Sequence, residues 1–152
     1  MIKYYNAMVV FEEIPNEITL AINITNCPCH CKGCHSQFLW EDVGTELTAQ
    51  EMTNLLEKND GITCVCFMGG DREPNLINEL AFYLKRIKKI KVGWYSGRNE
   101  LPENINLKNF DFIKLGEYRE ELGGLNKRTT NQRFYIVHDN KMEDKTFLFW
   151  KT

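Results

Sequence analysis

Apolar and polar residues alternate near the start of the chain in a way that predicts a β-hairpin. Residues 8–11 are mostly apolar, and Pro15-Asn16 supplies a turn. Between positions 18 and 24 every second residue is isoleucine or leucine, with smaller or polar residues between them. Because successive side chains of a strand point to opposite faces, this alternation predicts a half-buried strand that leads directly into a group of cysteines.

Two later stretches carry apolar residues at the spacing of a helix. Thr48 and Glu51 have the spacing of a capping box, in which Thr48 caps the Glu51 N–H and Glu51 reaches back, so a helix is predicted from Thr48 to about Lys58. Pro74 suits a first helical turn, and apolar residues then keep helical spacing up to Ile87. Basic residues crowd the end of this second helix, where they complement its negative terminus or form a docking face for a partner.

Short apolar runs predict the remaining strands. They cover residues 62–68, 91–95, 110–115, 134–137 and 146–150. The first of these runs is continuous, which is typical of a strand covered on both faces, and the last two predict a closing hairpin or edge strands. Because strands and helices alternate along the middle of the chain, we predict an α/β fold with a mostly parallel sheet.

Composition and charge exclude several classes of function. The 152 residues are 43% hydrophobic and 26% charged, which predicts a single folded domain over 1–152. A net charge of −2 gives no basic field, so we expect neither nucleic acid nor an anionic membrane as a partner. No apolar run reaches the ~20 residues of a membrane helix, and the first residues lack the apolar core of a signal peptide. We therefore expect a cytoplasmic protein.

The distribution of the six cysteines is the most informative feature of the composition. Four of them fall within eight residues, at Cys27, Cys29, Cys31 and Cys34. In a cytoplasmic chain such a group indicates metal or redox chemistry rather than disulfides. The other two, Cys64 and Cys66, fall in a predicted buried strand. Since neighbouring strand residues point to opposite faces, we expect this pair to pack in the core rather than chelate one ion.

Three kinds of site are compatible with the cysteine group. A structural zinc site usually draws on two separated ligand pairs, whereas here the ligands form one group. A thioredoxin-like site needs Cys31-Lys32-Gly33-Cys34, between a strand and a helix. An iron–sulfur cluster uses thiolates from a flexible loop, and Cys27, Cys31 and Cys34 give the spacing C-x3-C-x2-C. Three ligands on a four-iron cluster leave one iron open for chemistry.

The cysteine loop resembles that of the radical S-adenosylmethionine enzymes, whose signature is this C-x3-C-x2-C. Together with Trp40, the loop also resembles the small activating proteins of anaerobic (class III) ribonucleoside-triphosphate reductases. The resemblance runs in order over residues 8–137. Its further segments are the Gly-Gly-Glu/Asp motif at Met68-Gly69-Gly70-Asp71, the aromatic-Thr/Ser-Gly at Tyr95-Ser96-Gly97, and the stretch ending in Asn-Gln-Arg at 128–133.

The resemblance implies a fold, cofactors and partners. The expected fold is a short, open partial (βα) barrel. The expected cofactors are a [4Fe-4S] cluster, ligated by Cys27, Cys31 and Cys34, and S-adenosylmethionine, bound by Gly69, Gly70, Asp71 and Ser96. In this family the reduced cluster cleaves S-adenosylmethionine to a 5′-deoxyadenosyl radical, which removes a hydrogen atom from a glycine of the reductase. The implied partners are the reductase and an electron donor such as a flavodoxin or ferredoxin.

Several positions depart from the family pattern. Cys29 stands where another residue is usual, Arg98 stands where an aromatic residue is common, and Asp71 replaces the more frequent glutamate. Asn131-Gln132-Arg133 forms either a polar loop over the sheet or a docking or closing element. Two other functions stay open at this point: activation of a different glycyl-radical enzyme, and a non-catalytic metal-binding or thiol redox module.

Overall fold

The computed structural model describes residues 1–28 and 41–150. These residues contain one mixed sheet of eight strands, together with the helices that pack on it. In chain order the strands are β1 Lys3–Val10, β2 Thr19–Ile24, β3 Thr45–Glu46, β4 Cys64–Met68, β5 Lys91–Tyr95, β6 Phe112–Leu115, β7 Arg133–His138 and β8 Lys141–Asp144. Their spatial order is β3-β1-β2-β4-β5-β6-β7-β8. Strands β2, β4, β5 and β6 pair in parallel, and the outer pairings are antiparallel. The α/β class is confirmed, and this pairing gives an open sheet rather than a clear barrel.

The first predicted helix and part of its cap are confirmed. Helix α1 spans Ala49–Lys58, and the Thr48 hydroxyl accepts a hydrogen bond from the Glu51 N–H at 3.1 Å. The Glu51 carboxylate accepts a hydrogen bond from the Tyr4 hydroxyl at 2.7 Å. The glutamate predicted to reach back toward Thr48 therefore ties the helix to β1.

The second predicted helix changes its geometry part-way along. Helix α2 spans Pro74–Phe82 and continues as a π-helix over Tyr83–Lys88. Ile87 is 61% exposed, whereas Leu84 is fully buried. The predicted α-helical spacing up to Ile87 is therefore wrong, because the i→i+5 bonding of a π-helix changes which residues share a face.

The predicted strand 146–150 is also wrong. The described residues there form a 3-10 helix, Thr146–Phe149, and the strand that pairs with β7 is β8. The physical reason is the turn between β7 and β8, where Asp139 and Asn140 both have positive φ, at 47° and 63°. Such residues form a two-residue hairpin turn, so the returning strand begins immediately at Lys141.

Both faces of the sheet are covered. Helices α1 and α2 pack their apolar side chains on one face. On the other face lie Ile14, from the loop between β1 and β2, and Phe149, whose ring centre is 4.9 Å from that of Phe134. As a result Thr19 and Ala21 of β2 are buried as well, and the prediction of a half-buried strand is wrong.

Cys64 and Cys66 lie in the core on the face that also holds Ile14. The prediction that they point to opposite faces is wrong, because residues two positions apart on a strand share a face and only adjacent residues diverge. Neither side chain is exposed to solvent, and the packing role predicted for the pair is confirmed. Burial raises the pKa of the Cys64 thiol to about 12 and also raises the pKa of Cys66.

We expect Cys64 and Cys66 to resist iodoacetamide in the native protein at about pH 8, because both are protonated thiols without solvent access. Both should react once the chain is unfolded in urea. Peptide mass spectrometry after native and denatured labelling measures the difference. Native labelling of either cysteine at the rate seen in the unfolded chain would contradict the buried placement.

Candidate functional site

Four parallel strands end at the same edge of the sheet. Asn23, Met68, Tyr95 and Lys114 occupy one row of paired positions across β2, β4, β5 and β6. The loops that follow these strands therefore begin side by side at the carboxyl edge, where α/β sheets commonly bind ligands. The predicted site residues in these loops are Cys27, Gly69, Gly70, Asp71 and Ser96.

Asp71 and Ser96 are in direct contact at the centre of this edge. The Ser96 hydroxyl donates a hydrogen bond to Asp71 Oδ1 at 2.5 Å, and the Gly97 N–H donates to Asp71 Oδ2 at 2.8 Å. Asp71 is 1% exposed and Ser96 is fully buried. A buried carboxylate needs such donors, so the loop after β4 and the loop after β5 are held to each other.

Arg98 extends this contact, although sequence reasoning assigned it no role. Its guanidinium donates a hydrogen bond to the Asp71 carbonyl oxygen at 2.6 Å, and its backbone N–H donates to the Ser96 hydroxyl at 3.0 Å. Its carbonyl oxygen accepts from the Gly116 N–H at 2.6 Å. Arg98 therefore connects the ends of β4, β5 and β6. In the sequence, its position directly after Ser96-Gly97 is the feature that could have indicated this role.

Gly69 and Gly70 both adopt backbone conformations that favour glycine, with φ of 106° and 90°. A Cβ on Gly70 would stand 2.5 Å from Ile77 Cδ1, and a Cβ on Gly69 would stand 3.4 Å from the Ile24 carbonyl oxygen. The Gly69 carbonyl oxygen accepts a hydrogen bond from the Trp94 indole N–H at 2.7 Å. The fold itself thus requires glycine at position 70, where helix α2 approaches the loop.

Cys27 lies shortly after β2 and is half-buried. The preceding Asn26 has a φ of 59°, and its carbonyl oxygen accepts a hydrogen bond from Arg72 Nε at 3.0 Å. This bond joins the start of the cysteine loop to the loop that carries Asp71. The other two predicted ligands, Cys31 and Cys34, lie outside the described residues, as do Cys29 and Trp40.

Lys114 is a further polar residue of this edge that sequence reasoning missed. It is 7% exposed, its ammonium donates a hydrogen bond to the Gly116 carbonyl oxygen at 2.9 Å, and it lies 5.8 Å from the centre of the Tyr95 ring. Burial raises the pKa of Tyr95, whose hydroxyl donates to the Glu13 carbonyl oxygen. In the sequence, a lysine within a predicted buried apolar run could have indicated this residue, because lysine is almost never fully buried unless it is paired.

The segment Asn131-Gln132 holds the loop that follows β6. The Asn131 amide donates a hydrogen bond to the Glu117 carbonyl oxygen at 3.0 Å, and the Gln132 amide donates to that of Gly116 at 3.4 Å. Gln132 is 8% exposed. Of the two roles considered for this stretch, the contacts support a polar loop that folds over the sheet.

No family model, curated protein or solved structure matches this chain. Within residues 1–28 and 41–150, no group of three or more histidine, cysteine, aspartate or glutamate side chains is arranged to hold a metal ion. The helices in the same part of the chain are all too short or too polar to cross a membrane.

Gly70→Ala is expected to destabilise the protein more than Gly61→Ala. Gly61 also has a positive φ, of 87°, but a Cβ there would meet nothing within 4 Å. The control should therefore lose ~1 kcal/mol from backbone strain alone. Gly70→Ala should lose a further ~1–3 kcal/mol from the collision with Ile77. Urea unfolding measures both free energies, and equal losses would contradict the close approach of α2.

Asp71→Asn and Ser96→Ala are each expected to lower the free energy of unfolding by about 1–3 kcal/mol, because each leaves a buried partner unsatisfied. The double variant should lose ~1 kcal/mol less than the sum of the two, since the first substitution already breaks their shared bond. Thermal and urea unfolding measure the cycle, with the exposed Asp60→Asn as control. Strict additivity would argue against the Asp71–Ser96 contact.

Proposed function

We propose that this chain is a radical S-adenosylmethionine enzyme that activates an anaerobic ribonucleoside-triphosphate reductase. The observation that carries the proposal is the contact between Asp71 and Ser96. The family resemblance assigns both residues to one cofactor, although they come from separate segments of the sequence. Their hydrogen bond at 2.5 Å supports a common site.

The topology supports the fold that this proposal needs. Strands β2, β4, β5 and β6 lie in the sheet in their chain order, each parallel to the one before. Both α1 and α2 pack on the same face. A doubly wound sheet would reverse its strand order and carry helices on both faces, whereas a (βα) barrel adds strands in sequence with helices outside. We propose that the sheet is a short, open version of the barrel of this superfamily.

The described cysteines fit a cluster ligand at position 27. Thiolates are the usual iron–sulfur ligands, and they must be able to reach the cluster. Cys27 is half-buried at the carboxyl edge, whereas Cys64 and Cys66 are fully buried in the core. The proposed ligands are Cys27, Cys31 and Cys34. When bound, the cluster would supply the electron that cleaves S-adenosylmethionine and starts hydrogen abstraction from a glycine of the reductase.

The residues around Asp71 would hold and orient S-adenosylmethionine. The Asp71 carboxylate is 1% exposed and already accepts two hydrogen bonds, so in the proposed complex it would attract the cofactor's amino group as a nearby charge rather than as an open ligand. Ser96 and Arg98 fix the Asp71 carboxylate and its carbonyl oxygen from the neighbouring loop. Gly69 and Gly70 set the path of the loop that carries Asp71. These residues bind and position, and the cofactors supply the reaction itself.

An open sheet also suits a macromolecular substrate. The strand order ends at β3 on one side and at β8 on the other, so the described part of the fold does not enclose the carboxyl edge. A loop of another protein can approach such an edge from the side. We therefore propose the reductase as substrate, with a flavodoxin or ferredoxin as electron donor.

Anaerobic reconstitution with iron and sulfide, followed by reduction and EPR spectroscopy, tests the proposal. We expect about four irons per chain and a reduced-cluster signal that changes when S-adenosylmethionine binds to the open iron. The substitutions Cys27→Ala, Cys31→Ala and Cys34→Ala should each prevent a full iron count, because each removes a ligand.

Cys29→Ala and Cys66→Ala are the matched controls and should keep the full iron count and the cofactor-dependent signal. Equal loss in the Cys29→Ala variant would contradict the three-ligand set. A chain that binds zinc, or forms a Cys31–Cys34 disulfide without a cluster, would instead be a metal-binding or thiol redox module. Cleavage of S-adenosylmethionine without activation of the reductase would point to another glycyl-radical enzyme.

A further inference from the structure

The π-helix that continues α2 presents an exposed apolar and basic surface. Phe82 is 48% exposed and Ile87 is 61% exposed. They are five residues apart, the spacing that a π-helix brings to one side. The Arg86 guanidinium lies 5.7 Å from the centre of the Phe82 ring. These three side chains combine apolar and cationic groups in the way that protein interfaces do.

A groove of about 560 Å³ adjoins this surface. Its apolar lining comes from Leu107, Phe110 and Val137. Its charged lining comes from three cations, Lys85, Arg86 and Lys108, and two carboxylates, Asp111 and Asp139. Lys85 forms an ion pair with Asp111 at 2.5 Å. In the described part of the chain, no carboxylate lies within ion-pair distance of Arg86 or Lys108, so these two cations can bind an external anion.

Complementing the end of a helix does not account for this charge. That effect acts within the last turn of the helix and would cover Lys85, Arg86 and Lys88. Lys108 comes from a different element, the 3-10 helix Leu107–Asn109, and lines the same groove as Arg86. Cations from two separate elements therefore meet around one apolar depression, where they outnumber its two carboxylates by one.

A cation lies over one face of each aromatic ring in this region, while Phe82 remains 48% exposed. Arg86 lies over Phe82, and the Lys88 ammonium lies 5.8 Å from the centre of the Tyr83 ring. Single-stranded nucleic acids bind by stacking bases on open aromatic faces. An acidic polypeptide needs no such face and requires cations beside an apolar pocket, which the groove provides.

We infer that the groove between the π-helix and the 107–111 segment docks an acidic segment of the protein substrate. An apolar side chain of that segment fills the groove, and its carboxylates pair with Arg86 and Lys108. This inference rests on the proposed function for the identity of the partner, the reductase. The groove gives that reductase a second point of attachment besides the loop that is activated.

The position of the groove supports two-point binding. Helix α2 begins at the carboxyl edge, after Asp71, and its π-helical end leads into β5 at the opposite edge. The five residues of β5 separate the two edges by ~16 Å. A large partner can span that distance, so docking at the groove would orient it while its glycine loop reaches the carboxyl edge.

Binding of the reductase to the purified, reconstituted protein tests the inference. We expect Arg86→Glu and Lys108→Glu each to raise the dissociation constant about tenfold or more, because each replaces attraction by repulsion. Lys58→Glu is the matched control, since it reverses an exposed charge at the end of α1, and it should leave the constant within about twofold. Wild-type binding should also weaken as salt is raised.

Formation of 5′-deoxyadenosine without the reductase is the second readout, and it should be unchanged in all three variants. If the wild type forms no 5′-deoxyadenosine, the proposed function is refuted. The proposed docking site is tested by the binding measurement alone. Wild-type affinity in both groove variants, or no binding of the reductase to the wild type, would overturn the docking site. Oligonucleotide binding that Arg86→Glu abolishes, with reductase binding unchanged, would also overturn it.

Discussion

Parallel pairing in register is the constraint on which the candidate site depends. Strands β2, β4, β5 and β6 pair so that residues at or next to their carboxyl ends form one row, from Asn23 to Lys114. Parallel strands need cover on both faces, which the two helices provide on one side and Ile14 and Phe149 on the other. Residues far apart in the chain then follow adjacent strands, and their loops meet at one edge.

The buried carboxylate of Asp71 fixes the loops at this edge relative to one another. Asp71 is 1% exposed, and the Ser96 hydroxyl and the Gly97 N–H supply the hydrogen bonds that its buried carboxylate needs. These bonds make the loops after β4 and β5 a single unit, and Arg98 joins the end of β6 to it. The start of the cysteine loop is tied to the same unit through Arg72, which donates a hydrogen bond to the Asn26 carbonyl oxygen beside Cys27.

Most elements of the fold could be predicted because their signals are local, such as the Thr48 cap and the apolar runs. The two-residue strand β3 is too short to show a period, and the burial of Thr19 depends on tertiary packing of Ile14 and Phe149 on that face of the sheet. Ser96 could be predicted as a site residue through the family resemblance, and its place at the end of a strand agrees with that assignment. The contacts of Arg98 and Lys114 could not, because they depend on the register between strands.

Helix α2 and its π-helical continuation connect the two edges of the sheet. Ile77 packs against Gly70 near the carboxyl edge, and the π-helix exposes Ile87 at the other. An α-helical continuation would keep Ile87 in phase with the buried Leu84 and gain up to ~1.5–3 kcal/mol from its burial. In the isolated chain Ile87 instead stays exposed, and Arg86 lies beside the exposed apolar surface. The docking site proposed above would give this exposed surface a binding role that the stability of the chain alone does not supply.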